Sequence, residues 1–130
     1  MPVSIAIQSF RTELCVHALI IEDELMIAAA IEYVLRESGF DSFDVASSSF
    51  AAIVSAANRC PDLITADVEL AVGNGIEAIR IICQQLSVPV IIITGRAAAE
   101  VRRHVADYPV LSKPFSEETL TYAVAASIGR

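Results

Sequence analysis

Polar and charged side chains follow directly on four separate apolar runs of this chain, and their types fit divalent-metal and phosphoryl chemistry. The residues concerned are Glu22, Asp23, Asp67, Thr94 and Lys113. Three carboxylates brought into one site repel one another, which raises the pKa of at least one of them. A hard divalent cation relieves that repulsion, and Mg²⁺ suits a site with few carboxylates and several retained waters. A carboxylate shielded in this way can attack phosphorus and form an acyl phosphate, while metal and ammonium stabilise the transferring oxygens.

The apolar runs that precede these residues have the length and composition of buried strands. They span residues 18–21, 63–66, 90–93 and 110–112. Short apolar runs bounded by polar residues are typical of strands covered on both faces of a parallel sheet. Taken singly, each polar residue has an ordinary explanation, such as an acidic helix start or a turn. Their recurrence at successive strand ends favours one shared crevice, because parallel strands all end at the same edge.

The remaining sequence alternates helix and strand signals around those runs. We predict strands near residues 16–21, 43–46, 62–66, 90–94 and 109–112, and helices near 24–38, 49–59, 76–82, 98–105 and 116–128. Gly39 is a plausible helix stop, and the serines at 47–49 are plausible helix caps. Five strands alternating with five helices at this spacing predict an α/β fold with a doubly wound parallel sheet.

Composition narrows the class of protein. The chain has 130 residues, 55% of them apolar, and a formal net charge of −7 without any run of Lys or Arg. Nucleic acid binding is therefore not expected, because phosphate neutralisation needs a basic face. No apolar stretch approaches the roughly 18 residues that a membrane span needs, and the start does not resemble a signal peptide, so we expect a cytoplasmic protein with no membrane contact. We expect one domain over residues 15–130 after a lead segment at 1–14, with no second domain following.

The cysteines and histidines do not suggest a further site. Cys15, Cys60 and Cys83 are isolated and odd in number, which is typical of reduced thiols rather than of a disulfide framework. His17 and His104 stand apart from any metal-ligand or nucleophile motif, so we assign them structural or surface roles.

With these residues assembled, the chain resembles the receiver domains of bacterial two-component response regulators over about residues 16–128. The elements that carry the resemblance are Glu22-Asp23, Asp67, Thr94 and Lys113-Pro114-Phe115, in this order. The resemblance implies a flavodoxin-like sheet with strand order 2-1-3-4-5. The stretch around Thr94 and Lys113 is most similar to a subgroup of alphaproteobacterial single-domain receivers linked to stress or light signalling.

The resemblance also implies a role for each site residue. Asp67 would be the phosphoacceptor, receiving its phosphoryl group from a histidine kinase, a phosphotransfer protein or a small phosphodonor. Mg²⁺ would be held by Asp23 and Asp67, by the backbone carbonyl of Glu69, and by Glu22 through water. Thr94, Lys113 and the backbone amides of Val68 and Gly95 would contact phosphoryl oxygens. The Lys113–Pro114 peptide would be cis, as few X–Pro bonds in folded proteins are.

The sequence departs from the receiver pattern in one place and has an unusual pair in another. Receivers usually carry Tyr or Phe three residues before the lysine, where this chain has Val110, with Tyr108 two residues earlier. Transmission by a coupled threonine–aromatic movement is therefore in question. Glu69 and Arg96 occupy positions that border the path of the hydrolytic water, and we hypothesise that they pair and slow loss of the phosphoryl group.

The residues suggest three functions to compare. The first is a phosphoacceptor, not an enzyme in the usual sense, that signals by binding a protein partner or drains phosphate from a kinase. The second is a degenerate receiver that acts as a phosphorylation-independent interaction module, an alternative that Val110 keeps open. The third is a Mg²⁺-dependent enzyme of the topoisomerase–primase or haloacid-dehalogenase kind, which leaves Thr94 and Lys113 unexplained or reverses the order of the acidic residues.

Overall fold

The computed structural model describes residues 16–95, 98–103, 105 and 107–129, so the lead segment at 1–14 lies outside the described residues. Strands and helices alternate along it. In chain order they are β1 (His17–Ile21), α1 (Leu25–Glu37), β2 (Ser42–Ala46), α2 (Ser49–Asn58), β3 (Leu63–Asp67), α3 (Gly75–Ile82), β4 (Val90–Thr94), α4 (Ala98–Arg102), β5 (Val110–Ser112) and α5 (Glu117–Ser127). The predicted alternation of five strands and five helices is confirmed.

The five strands form one parallel sheet in the order β2-β1-β3-β4-β5. Register aligns their carboxyl ends, since Ile21 pairs with Ala66, Asp67 with Ile93 and Thr94 with Ser112. This is the doubly wound, flavodoxin-like arrangement, in which ligands bind in the crevice at the carboxyl edge of the strands.

The three central strands, β1, β3 and β4, are buried on both faces of the sheet. Alternate residues of β1 enter different cores: Leu19 and Ile21 pack with α2, α3 and α4, while Ala18 and Ile20 pack with α1 and α5. Every residue of β1, β3 and β4 is buried. Fully burying one Ile or Leu side chain contributes about 1.5–3 kcal/mol relative to leaving it exposed. The strands that carry the site residues are therefore held rigidly from both sides.

Most element ends lie one residue from the predicted position, and the end of α4 lies about three residues from it. β3 extends to Asp67, because ladder pairing with β4 continues to Ile93. α4 ends at Arg102 rather than near Val105, and the Val105 carbonyl accepts from the Tyr108 amide in a turn (3.1 Å). Among the helices of the described residues, none has the length and apolarity that crossing a bilayer requires.

The structure confirms the helix stop at Gly39, a serine cap within residues 47–49 and the structural role predicted for His17. Gly39 follows α1 with a φ of 106°, in the left-handed region that favours glycine, and the Ser48 hydroxyl caps α2 by accepting from the Ala51 amide at 3.1 Å. His17 is buried, and its ring contacts Ser42 Oγ at 2.9 Å and Asp44 Oδ2 at 3.0 Å. Because both ring nitrogens are occupied, His17 has a structural role that ties β1 to β2.

Candidate functional site

The four strand ends bring the predicted polar side chains into one crevice. Glu22 follows β1, Asp67 ends β3, Thr94 ends β4 and Lys113 follows β5. Glu22, Asp67 and Thr94 are at most 4% exposed, although two of them are acidic. Buried carboxylates are rare unless they are paired or bind a metal ion. Their burial therefore marks this edge of the sheet as the functional candidate.

Lys113 is the cation at the centre of the crevice. Its Nζ lies 3.0 Å from Asp67 Oδ2 and 3.1 Å from Glu22 Oε1, and it donates a longer bond of 3.4 Å to Glu22 Oε2. An oxygen of a third carboxylate, on the exposed Glu24, lies 3.7 Å away. The Lys113 side chain is only 16% exposed, so these contacts are weakly screened by solvent.

The pKa shifts in the crevice have identifiable causes. Burial raises the pKa of Glu22, and the Asp67 charge adds to the rise, while the Glu24 amide and Lys113 counteract part of it. Burial on its own would lower the pKa of Lys113, but the bonds to Asp67 and Glu22 outweigh it and the pKa is raised. Lys113 is thus held in its charged form, whereas the ionised form of Glu22 is destabilised by its burial.

A divalent cation fits the donor set. Carboxylate oxygens of Glu22, Asp23 and Asp67 all lie within 4.8 Å of one another. Glu22 Oε1 is buried, and although Lys113 Nζ is 3.1 Å away, the geometry is not that of a hydrogen bond. Among the described residues this oxygen accepts no hydrogen bond, which is a cost that a metal ion or its water would remove. An all-oxygen acidic set of this kind suits Mg²⁺.

The phosphoacceptor candidate is fixed by the backbone around it. The Glu69 amide donates to Asp67 Oδ1 at 3.1 Å, so both carboxylate oxygens of Asp67 have a partner. α3 begins directly against this residue, because a Cβ on Gly75 would overlap the Asp67 carbonyl oxygen. The N-terminus of α3 is capped by Asn74 Oδ1, which accepts from the Ile76 amide at 2.7 Å.

The other predicted site residues line the same edge. The Thr94 side chain is fully buried, and the Thr94 carbonyl accepts from the Lys113 amide at 2.8 Å. Val68 and Gly95 directly follow Asp67 and Thr94, so their amides lie at the ends of β3 and β4. The Lys113–Pro114 peptide is cis, as the resemblance implied.

Val110, the residue that departs from the receiver pattern, lies in the core of the structure. Val110 is buried in the core on the α3 and α4 side and pairs with Ile92 across the β4–β5 ladder. Tyr108 is half-buried further from the crevice, where burial and the neighbouring Cys83 thiol raise its pKa to about 12. Arg96 lies outside the described residues, so its pairing with Glu69 stays a hypothesis.

Two features of the site were not predicted from the sequence. One is the backbone amide of Ala71, which donates to Asp23 Oδ2 at 2.6 Å. The other is the close approach of Gly75 to Asp67. A backbone donor cannot be recognised from residue type. The two glycines that flank Asn74 are the sequence signal that could have indicated the close approach.

The fold and this acidic, lysine-containing crevice define a receiver domain, and comparison with known proteins identifies the family. The profile described as "Response regulator receiver domain" matches residues 18–125. The chain belongs to this family, whose domains act as receivers in two-component systems. It is 30% identical over 115 residues to the transcriptional regulatory protein PdtaR of Mycobacterium tuberculosis, a match that covers 86% of this chain and 56% of PdtaR. The chain thus spans about half the length of that curated relative.

Solved structures agree with this assignment. The PhyR receiver domain of Erythrobacter litoralis superposes with a TM-score of 0.75 and 33% identity, covering 88% of this chain and 91% of that one. The receiver domain of the sensor histidine kinase PA1611 of Pseudomonas aeruginosa has a TM-score of 0.76 and 28% identity over 89% and 99% of the two chains. That structure is described with a magnesium ion coordinated in its active-site cleft. PhyR receivers of alphaproteobacteria are therefore among the neighbours of this chain.

Proposed function

We propose that this chain is a Mg²⁺-dependent phosphoacceptor, with Asp67 as the residue that receives the phosphoryl group. The observation that carries the proposal is the position of Lys113 Nζ, 3.0 Å from Asp67 Oδ2 and 3.1 Å from Glu22 Oε1, in a crevice shared with Asp23. Phosphoryl transfer to aspartate needs a nucleophilic carboxylate, a compact cation and two further acidic side chains. Asp67, Lys113 and the pair Glu22 and Asp23 match these requirements.

The acidic residues would hold the metal ion. Glu22, Asp23, Asp67 and the backbone carbonyl of Glu69 are the proposed ligands, with Glu22 acting through water. When bound, Mg²⁺ supplies positive charge next to the oxygens that become more negative during transfer. The similarity to the PA1611 receiver, which is described with magnesium in its cleft, supports this assignment.

The side chains and backbone amides of the crevice have separate roles in phosphoryl transfer. An oxygen of Asp67 attacks the donor phosphorus, and a P–O bond forms as the bond from phosphorus to the donor's imidazole nitrogen breaks. The leaving imidazole takes a proton from solvent. Lys113 neutralises one phosphoryl oxygen as a point charge, and the Thr94 hydroxyl donates a hydrogen bond to another. The amides of Val68 and Gly95 are the further donors in this proposal.

The phosphodonor would be a histidine kinase or a histidine phosphotransfer protein, with small phosphodonors as substitutes. Two outputs remain open for the phosphorylated domain. It binds a protein partner through a surface that changes on phosphorylation, or it drains phosphate from a kinase that serves another regulator. The second candidate function is a phosphorylation-independent interaction module, which the buried Val110 in the usual aromatic position favours.

Intact-protein mass spectrometry after incubation with Mg²⁺ and phosphoramidate tests the proposal. We expect one phosphoryl adduct on the wild-type protein, none on Asp67→Ala, and an undiminished adduct on Asp107→Asn, which changes an exposed aspartate. An adduct that persists in Asp67→Ala would place the acceptor elsewhere. Absence of any adduct while calorimetry detects Mg²⁺ binding would favour the interaction module.

A further inference from the structure

The chain between β3 and α3, residues 68–74, is attached to the rest of the molecule at several points; we refer to it as the β3–α3 loop. At its base the Gly75 amide donates to the Val68 carbonyl at 3.3 Å, and Glu69 pairs with Asn74 in an isolated antiparallel bridge. The loop is thus a closed unit, and it directly follows the proposed phosphoacceptor.

One attachment connects the loop to the crevice. Asp23 Oδ2 accepts a 2.6 Å hydrogen bond from the Ala71 amide, across 48 positions of sequence. Asp23 is also one of the three carboxylates that converge on the candidate metal site. A cation drawn to this carboxylate withdraws negative charge from the oxygen that holds Ala71, so metal occupancy and loop position are physically coupled.

A second attachment connects the loop to α2. Val72 pairs with Ser48 in an isolated parallel bridge, and Ser48 is the residue that caps α2. Gly73 has a φ of 91°, and a Cβ at this position would overlap Ser49 Oγ. The loop therefore packs directly against the first turn of α2, with no space for a side chain between them.

The two elements joined in this way carry exposed apolar side chains. Val72 is 68% exposed and Phe50, in the first turn of α2, is 76% exposed. Movement of the loop would therefore change the arrangement of these exposed apolar side chains. In contrast, transmission by a coupled threonine–aromatic movement lacks its aromatic ring, because Val110 occupies that position.

We propose that the β3–α3 loop couples occupancy of the acidic crevice to the N-terminal turn of α2, through the Asp23–Ala71 hydrogen bond at one end and the Gly73–Ser49 packing at the other. The proposal rests on the proposed function for the metal site at Glu22, Asp23 and Asp67, and does not depend on phosphorylation of Asp67. It requires two arrangements of the loop whose populations the crevice shifts.

Amide NMR spectra recorded during a Mg²⁺ titration test the coupling, with calorimetry on the same samples to measure metal binding. In the wild-type protein we expect shift changes at Ala71–Gly73 and at Ser48–Ala52 that follow the calorimetric binding curve. In Gly73→Ala a Cβ would overlap Ser49 Oγ at a strained positive φ, so we expect the loop to lie away from Ser49, and the α2 changes at saturating Mg²⁺ to fall to less than half of those in the wild-type protein.

Gly39→Ala is the matched control, because Gly39 also has a positive φ, 106°, but a Cβ there meets nothing within 4 Å. It should retain the α2 response. Ser49→Gly removes the same contact from the other side without adding bulk, and it serves if Gly73→Ala does not fold.

The outcomes separate this proposal from the proposed function. Mg²⁺ binding with no change at α2 in the wild-type protein, or a full α2 response in both Gly73→Ala and Ser49→Gly, would overturn the coupling alone. Absence of Mg²⁺ binding would overturn the metal site of the proposed function as well. A response lost in the two loop variants and kept in Gly39→Ala supports the coupling.

Discussion

Lys113 is the residue that balances the acidic groups of the crevice. Its Nζ lies within 4 Å of carboxylate oxygens on Glu22, Asp67 and Glu24, two of which belong to almost fully buried side chains. Among the described residues, Lys113 is the cationic side chain that the buried Glu22 and Asp67 share. Removing one partner of a buried ion pair is strongly destabilising, because an uncompensated charge remains.

We therefore expect Lys113→Met to lower the free energy of unfolding by about 3 kcal/mol in the absence of Mg²⁺. The value lies at the lower end for buried pairs, because the lysine keeps some solvent contact. Urea unfolding followed by circular dichroism measures the change. Arg80→Met is the control: it breaks a 3.5 Å pair with Glu77 in which both side chains are more than half exposed, and should cost at most about 0.5 kcal/mol. Equal losses in the two variants would contradict the balancing role.

At this scale the sequence predicted which residues meet, but not how each is held. Glu22, Asp67, Thr94 and Lys113 could be placed together because each stands at the end of an apolar run in a parallel sheet. The burial of Glu22, at 1% exposure, and the Ala71 amide on Asp23 could not, because both depend on the path of loops whose backbone groups carry no sequence signal.

At the scale of the elements, the start of α3 determines where Asp67 can sit. Gly75 is the first residue of the helix, and a side chain there would overlap the Asp67 carbonyl oxygen. The glycine is required by this close approach of two backbones and not by a left-handed conformation, since its φ is not positive.

Gly75→Ala should therefore lower the free energy of unfolding by about 3 kcal/mol, as overpacking against a backbone does, and weaken Mg²⁺ binding by displacing Asp67. Thermal unfolding and calorimetry measure the two effects. Gly95→Ala is the stability control, because a Cβ there meets nothing within 4 Å, and its unfolding free energy should change by less than about 0.5 kcal/mol. Wild-type stability in Gly75→Ala would show that the helix start can move freely.

The positions of the elements were predicted to within a few residues, and the misses have local causes. Gly39 and Ser48 mark ends that backbone chemistry dictates, so those ends were predicted well. The end of α4 was predicted about three residues too late, because the sequence has no glycine or proline between Arg102 and Tyr108.

The chain has a formal net charge of −7. Three of its acidic side chains converge on one edge of the sheet. Any cation that binds the folded crevice and not the unfolded chain stabilises the fold by mass action. The buried central strands keep the acidic side chains together even though electrostatic repulsion between them opposes it.

Mg²⁺ at ten times its Kd should accordingly raise the free energy of unfolding by about 1.4 kcal/mol. Urea unfolding at increasing Mg²⁺, with ionic strength held constant by NaCl, measures this stabilisation. Asp23→Asn removes one carboxylate from the site and should shift the effect to higher Mg²⁺ concentration. A variant that is stabilised as much as wild type at every concentration would locate the bound ion outside the crevice.

The segregation of the proposed site residues to one edge of the sheet leaves the opposite edge available to protein engineering. The connection from α3 to β4 runs along that opposite edge, and Gln84, Gln85 and Ser87 in it are exposed. Exposed connections of this kind are preferred sites for domain insertion. A fluorescent domain placed there would report on the receiver from the far side of its core, leaving the crevice and the surface around Phe50 open to partners.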